Sequence, residues 1–198
     1  MSRGTIIALV VLAVIVLVAL SLAGWVKSSY NNLVQLDENV KTAWSEVENQ
    51  FQRRYDLIPN YVETVKGYAE HEREVLVDVT EARSRVASAG TVPEQIKANN
   101  ALTSALSRLM VVVERYPDLK ANQNFIRLQD ELAGTENRIA VARRRYNEAA
   151  RALNVQIRSF PSNIIANMFG FERAALFEAP EEAREAPQVD FTREGEEG

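Results

Sequence analysis

The chain opens on an uncharged apolar run, Ile6 to Ala23, and then alternates apolar and polar positions at helical spacing for most of its length. Arg3 bounds the run on one side, Trp25 and Lys27 on the other. A helix needs about 20 apolar residues to cross about 30 Å of hydrocarbon. Tryptophan suits the membrane interface, and a lysine stem can lie in lipid while its charge reaches the headgroups. The competing reading is a cleaved signal peptide, with an apolar core of about 7–15 residues before a small-x-small site. This run is longer, and "SLAGWVK" makes a poor cleavage site. The pattern predicts a transmembrane anchor over residues 1–26, held by membrane lipid through residues 6–23.

Past the anchor, Leu33, Leu36, Val40, Ala43, Val47 and Phe51 recur in steps of three and four. Ile58, Val62, Val65, Ala69, Leu76, Val79 and Val86 carry on a similar stripe. In "SAGTVPEQ", Gly90 ends a helix, Thr91 caps the next and Pro93 fits its first turn. Leu102, Leu106, Leu109 and Val113 mark one face of a shorter helix. "RYPDLKANQNF" reads as a connection, because Pro117 disfavours helical geometry at Tyr116. The cleanest stripe follows, from Phe125 through Thr135, Ile139, Ala142, Tyr146, Leu153 and Ile157 to Phe160, the pattern of a coiled-coil-like seam ending at Pro161. "SNIIANMFGFERAALFEA" predicts a short helix that packs on the base of the body or touches the membrane surface. No β-like alternation of any length occurs. The body, residues 27–177, is therefore predicted to be all-α, with its stripes buried together as a helical bundle.

Pro59 interrupts this pattern, since it lacks an amide hydrogen and clashes with the carbonyl four residues before it. The residues allow one helix of about sixty residues kinked there, or two helices meeting near Asp56, which stands where a cap would start a new one.

Composition adds mostly exclusions. Among 198 residues there is no cysteine and one histidine, so thiolate metal sites, disulfides and cysteine nucleophiles are absent. His71 begins "HEREV", but the second histidine of a zincin motif would stand where Val75 is. No serine elbow, phosphate-cradling loop or dinucleotide fingerprint occurs, so no enzyme activity, metal or cofactor is expected. The net charge of −4 hides an asymmetry: Glu178 to Gly198 holds eight acidic and two basic residues. That stretch, residues 178–198, is predicted to be a disordered acidic tail. The remainder is close to neutral and offers no patch for nucleic acid.

The order "DLIPN", "YPDLKAN", "TENRIAVAR", "YN" resembles the bacterial LemA proteins, nearly everywhere from Tyr30 to Phe171. The resemblance implies one amino-terminal membrane span followed by an up-and-down four-helix bundle, in a family without an established activity or recognised catalytic residues. Four helices of roughly 29, 33, 23 and 38 residues would alternate in direction if the first two parted at the joint of Asp56 and Pro59. That division is the expectation carried forward.

The functional expectation is a non-catalytic, single-pass cell-membrane protein, an interaction or scaffold component of the bacterial envelope. The balance of Lys and Arg across the anchor leans towards an extracytoplasmic body. Candidate contacts for protein partners are Val189 and Phe191 in the tail and a charged ridge of Arg143, Arg144 and Arg145. Small residues four apart in the anchor leave room for a homo-oligomer that organises membrane patches. An enzyme with a carboxylate site between helices is the remaining alternative.

Overall fold

The computed structural model describes residues 3–69 and 71–178. Among them the regular elements are all helices, without a strand. Helix α1 runs from Arg3 to Lys66, about 96 Å at 1.5 Å per residue. Its first third is the apolar run, exposed on every side with Leu17 and Leu20 at 64%. This helix is long and apolar enough to cross a membrane. The same rod then becomes one wall of the folded body.

The expected joint at Asp56 and Pro59 is not there, since α1 passes through both without ending. It stops at Lys66 instead, with a turn at Gly67 and Tyr68, and α2 begins at Arg73. Pro59 leaves the Tyr55 carbonyl without its intrahelical donor. That carbonyl is satisfied from another helix, by Arg83 Nε at 3.3 Å. The proline's local penalty is thereby met by a tertiary contact.

Helices α2 (Arg73–Ser88) and α3 (Val92–Val113) form a hairpin against the outer half of α1. Thr91 starts α3 as expected: its hydroxyl accepts from the Glu94 amide, and the Glu94 carboxylate accepts from the Thr91 and Gly90 amides. These bonds hold the Glu94 carboxyl below its usual range. One turn, α4 (Pro117–Lys120), leads to α5 (Gln123–Arg158), which returns antiparallel to α1 along its whole folded length. Asn122 caps α5 by accepting from two amides and donates to the Tyr68 hydroxyl, tying the outer turns together. A short helix, α6 (Ser162–Phe169), folds back beside Tyr30 at the membrane end.

The apolar stripes meet in two cores. The outer one joins Ile58, Tyr61 and Val65 to Val79, Leu102, Leu109 and Phe125. The inner one joins Leu33, Trp44, Val47 and Phe51 to Ile139, Tyr146, Leu153 and Ile165. Removing such surfaces from water is worth about 25 cal/mol per Å². Phe160, expected to close the α5 seam, is instead 81% exposed. Helix α5 ends at Arg158, so Phe160 falls in the turn before α6 and leaves the stripe.

Candidate interaction sites

The α2–α3 hairpin is shorter than α1 and α5, about 24 and 33 Å against about 54 Å for α5. It leaves the inner part of the α1–α5 seam without a helical cover. The chain fills that place with its own extended segment, Phe171–Glu178. Gly170, at φ +72°, makes the turn out of α6; a side chain there would be strained.

Side-chain amides fix the segment. Asn154 of α5 accepts from the Ala174 amide and donates to the Ala174 carbonyl, both at 2.9 Å. Asn147 pairs with Phe177 in the same double fashion, again at 2.9 Å. The spacings match: seven helical residues span about 10 Å, as do three extended ones. Tyr146 donates its hydroxyl to the Ala175 carbonyl at 2.8 Å. Phe177 then enters an aromatic nest, 6.1 Å from Trp44, 5.6 Å from Tyr146 and 6.4 Å from Phe51, with the Arg143 guanidinium 4.8 Å above its ring. Such a groove grips peptide backbone without regard to sequence and selects one aromatic side chain.

Between the two cores lies a buried charge. Arg54 is 1% exposed. Its Nη1 donates to Thr103 Oγ1 at 2.8 Å and to Glu136 Oε2 at 2.9 Å, and its Nη2 to Asn99 Oδ1 at 2.7 Å. Burial pushes the guanidinium below its ordinary value, and the Glu136 carboxylate opposes that. Three helices contribute to this waist, so it fixes the register of α1, α3 and α5 together. Both terminal nitrogens of Arg54 are engaged from within, while its buried Nε has no hydrogen-bond partner among the described residues.

The expected contact residues part company. Arg143 is half-buried, donating to Asn100 Oδ1 at 3.0 Å and covering Phe177, so it belongs to the groove rather than to an exposed ridge. Arg145 pairs with Glu46 at 2.8 Å across α1 and α5. Arg144 is exposed between them. Successive helical positions point about 100° apart, so three adjacent arginines cannot share one ridge. Ile6 and Ala23 are exposed along α1, Trp25 is half-buried against the inner core and Lys27 is exposed. Val189 and Phe191 lie outside the described residues, as does the acidic tail beyond Glu178. His71 is exposed in the turn before α2. Among the described residues, no three His, Cys, Asp or Glu stand together as a metal site.

These features define an all-helical protein whose first helix is long and apolar enough to anchor the rest. The family model for the LemA family matches residues 43–191, and the chain belongs to that family. The matched region reaches well into the acidic tail, which the motif resemblance had left outside. Magnetosome protein MamQ 2 of Paramagnetospirillum magneticum is 28% identical over 204 residues, covering 90% of this chain and 74% of that protein. Magnetosome protein MamQ of Magnetospirillum gryphiswaldense is 26% identical over 203 residues, covering 89% and 74%. Protein LemA of Metamycoplasma hominis is 27% identical over 154 residues, covering 76% and 69%.

Proposed function

We propose that this chain is a non-catalytic, membrane-anchored interaction protein of the bacterial envelope, a four-helix rod that presents a fixed surface to protein partners. One observation carries the reading: the exposed apolar run and the wall of the folded body are a single helix, Arg3–Lys66, with no linker between them. Such continuity holds the body upright and in a set rotation above lipid, which suits a scaffold and is of no use to a freely diffusing enzyme. The engagement of both Arg54 terminal nitrogens by Thr103, Glu136 and Asn99 supports the same view. The relatives named as magnetosome proteins agree with a place at a cellular structure rather than in a reaction. Arg3 and the amino terminus nearly balance Lys27 and Lys41 across the span, and we read the small lean as towards a body outside the cytoplasm.

The test has two parts. Full-length chain should stay with membranes through alkaline carbonate, and a carboxyl-terminal reporter should read the extracytoplasmic side. Photocrosslinkers placed at Arg144, Val189 and Phe191 in native membranes should then capture other proteins at defined positions. Recovery in the soluble fraction overturns the anchor. Crosslinking to lipid alone overturns the interaction role, and adducts only to further copies of this chain favour a self-associating organiser instead.

A further inference from the structure

Helix α6 packs by one face and leaves another bare. Ser162, Ile165 and Ala166 are buried against the inner core. Ile164 (49% exposed) and Met168 (68%), one turn apart, form an opposite apolar edge that Phe160 extends into the preceding turn. Large apolar side chains in such a row ask for a cover.

The position of α6 names that cover. Phe169 lies 4.7 Å from Tyr30 and Phe171 6.0 Å from it, ring to ring. Tyr30 follows the last apolar residue of the span, Ala23, by seven helical residues, about 10 Å along α1. The headgroup layer is about 5–8 Å deep on each side of the hydrocarbon. Tyr30 thus stands just beyond the headgroups. Trp25 and Val26, partly buried against the inner core that includes Ile165 and Ala166, lie about 3–5 Å beyond Ala23 and within that layer. Helix α6 therefore reaches down to the level where amphipathic helices lie in a membrane surface.

The adjoining edge is polar in a matching way. Asn163 and Asn167, also one turn apart, line a crevice of about 430 Å³ with Arg158 at the end of α5 and Arg173 at the start of the extended segment. Neither arginine has an ion-pair partner among the described residues, and both are exposed. Two guanidinium forks and two amides suit a phosphate diester.

We propose that the α6 edge docks on the membrane surface, with Phe160, Ile164 and Met168 among the acyl chains and an anionic phospholipid headgroup held between Arg158 and Arg173. The inference rests on α1 crossing the membrane and adds a second, surface contact that sets the tilt and rotation of the rod.

The chain has no cysteine, so single substitutions place a spin label cleanly. Full-length Val14→Cys, Ile164→Cys, Met168→Cys and Val111→Cys are labelled and reconstituted in nanodiscs of phosphatidylcholine alone or mixed with phosphatidylglycerol. Collision with oxygen, enriched in lipid, is compared with collision with an aqueous nickel chelate. Labels at 164 and 168 should be shielded from nickel several-fold better than the label at 111, and better still with phosphatidylglycerol. Arg158→Glu with Arg173→Glu should abolish that extra shielding. Labels at 164 and 168 as wet as 111, with 14 in lipid, overturn the docking and leave the span intact. A wet label at 14 overturns the span itself. Equal shielding in both lipids, unmoved by the arginine reversal, overturns the headgroup assignment.

Discussion

Arg83 Nε donates to the main-chain carbonyl of Tyr55 at 3.3 Å while the same guanidinium lies 3.8 Å from the centre of the Tyr55 ring. The carbonyl needs this donor because Pro59 stands four residues on and has no amide hydrogen to offer. A proline inside a helix costs about 3 kcal/mol in isolation. Here one arginine from α2 supplies both the missing bond and a cation–π contact.

A double-mutant cycle isolates that coupling. Arg83→Met should destabilise the parent by about 1–2 kcal/mol, from the lost bond and the lost ring contact. In a Pro59→Ala background the helix regains its own donor to Tyr55. The cost of Arg83→Met should then fall by about 1 kcal/mol, leaving only the ring contact. Thermal unfolding of the four proteins in detergent measures the difference. Equal costs in both backgrounds would falsify the compensation.

The waist around Arg54 yields an asymmetric prediction. Removing one partner of a buried charge is worse than removing the charge, because the orphan keeps its desolvation cost. Glu136→Leu and Asn99→Leu should each cost about 2–3 kcal/mol, somewhat below the fully buried range because the Glu136 side chain is 44% exposed. Arg54→Met fills much of the same volume and should cost about 1 kcal/mol. If Arg54→Met proves the most damaging of the three, the waist is a net source of stability and not merely a register device.

These two sites explain what the sequence made legible. The stripes through Leu33, Val47, Ile139 and Leu153 were readable because a helix buries positions three and four apart whatever its partner. Thr91 was readable because a cap is local. The joint was misplaced because the penalty of Pro59 is written beside it, while its remedy, Arg83, is written in another helix. Gly67, where α1 does end, was the quieter signal. The extended segment was invisible for a different reason. It has no periodicity, and Asn147 and Asn154 look like ordinary solvated positions until a peptide backbone is laid across them. Two asparagines seven apart, flanking an apolar seam, were the sign available.

The amide pairs predict a local failure. Asn154→Ala removes two bonds to Ala174, each worth about 1 kcal/mol net, without touching the α1–α5 core. Hydrogen exchange at Ala174 and Phe177 should quicken while α5 stays protected. Asn154→Asp is the sharper variant. At neutral pH its carboxylate faces the Ala174 carbonyl with nothing to donate, so the segment should be looser than in Asn154→Ala. Below about pH 4 the protonated carboxyl regains a donor and protection should return. Exchange that ignores both substitutions would show that packing of Phe177 alone holds the segment.

Alkaline pH tests the outer core through Tyr61. Its ring is fully buried against Phe125, and its hydroxyl donates to Met110 Sδ at 2.8 Å. Burial raises the phenol above its ordinary range. A group whose folded pKa is raised contributes stability that is complete below its unfolded value, about 10, and that drains away as pH climbs beyond it. The unfolded chain then ionises and the folded one does not. Unfolding free energy should accordingly fall above about pH 10, by at most about 1.4 kcal/mol per pH unit from this group. Tyr146, raised by burial in the inner core, adds to the slope. Tyr61→Phe, which cannot ionise, should make the alkaline slope shallower. Absorbance titration should also show one fewer late-appearing tyrosinate in that variant than in the parent. A parent whose tyrosines all ionise together at ordinary pH, with no loss of helicity, would mean that water reaches the outer core freely.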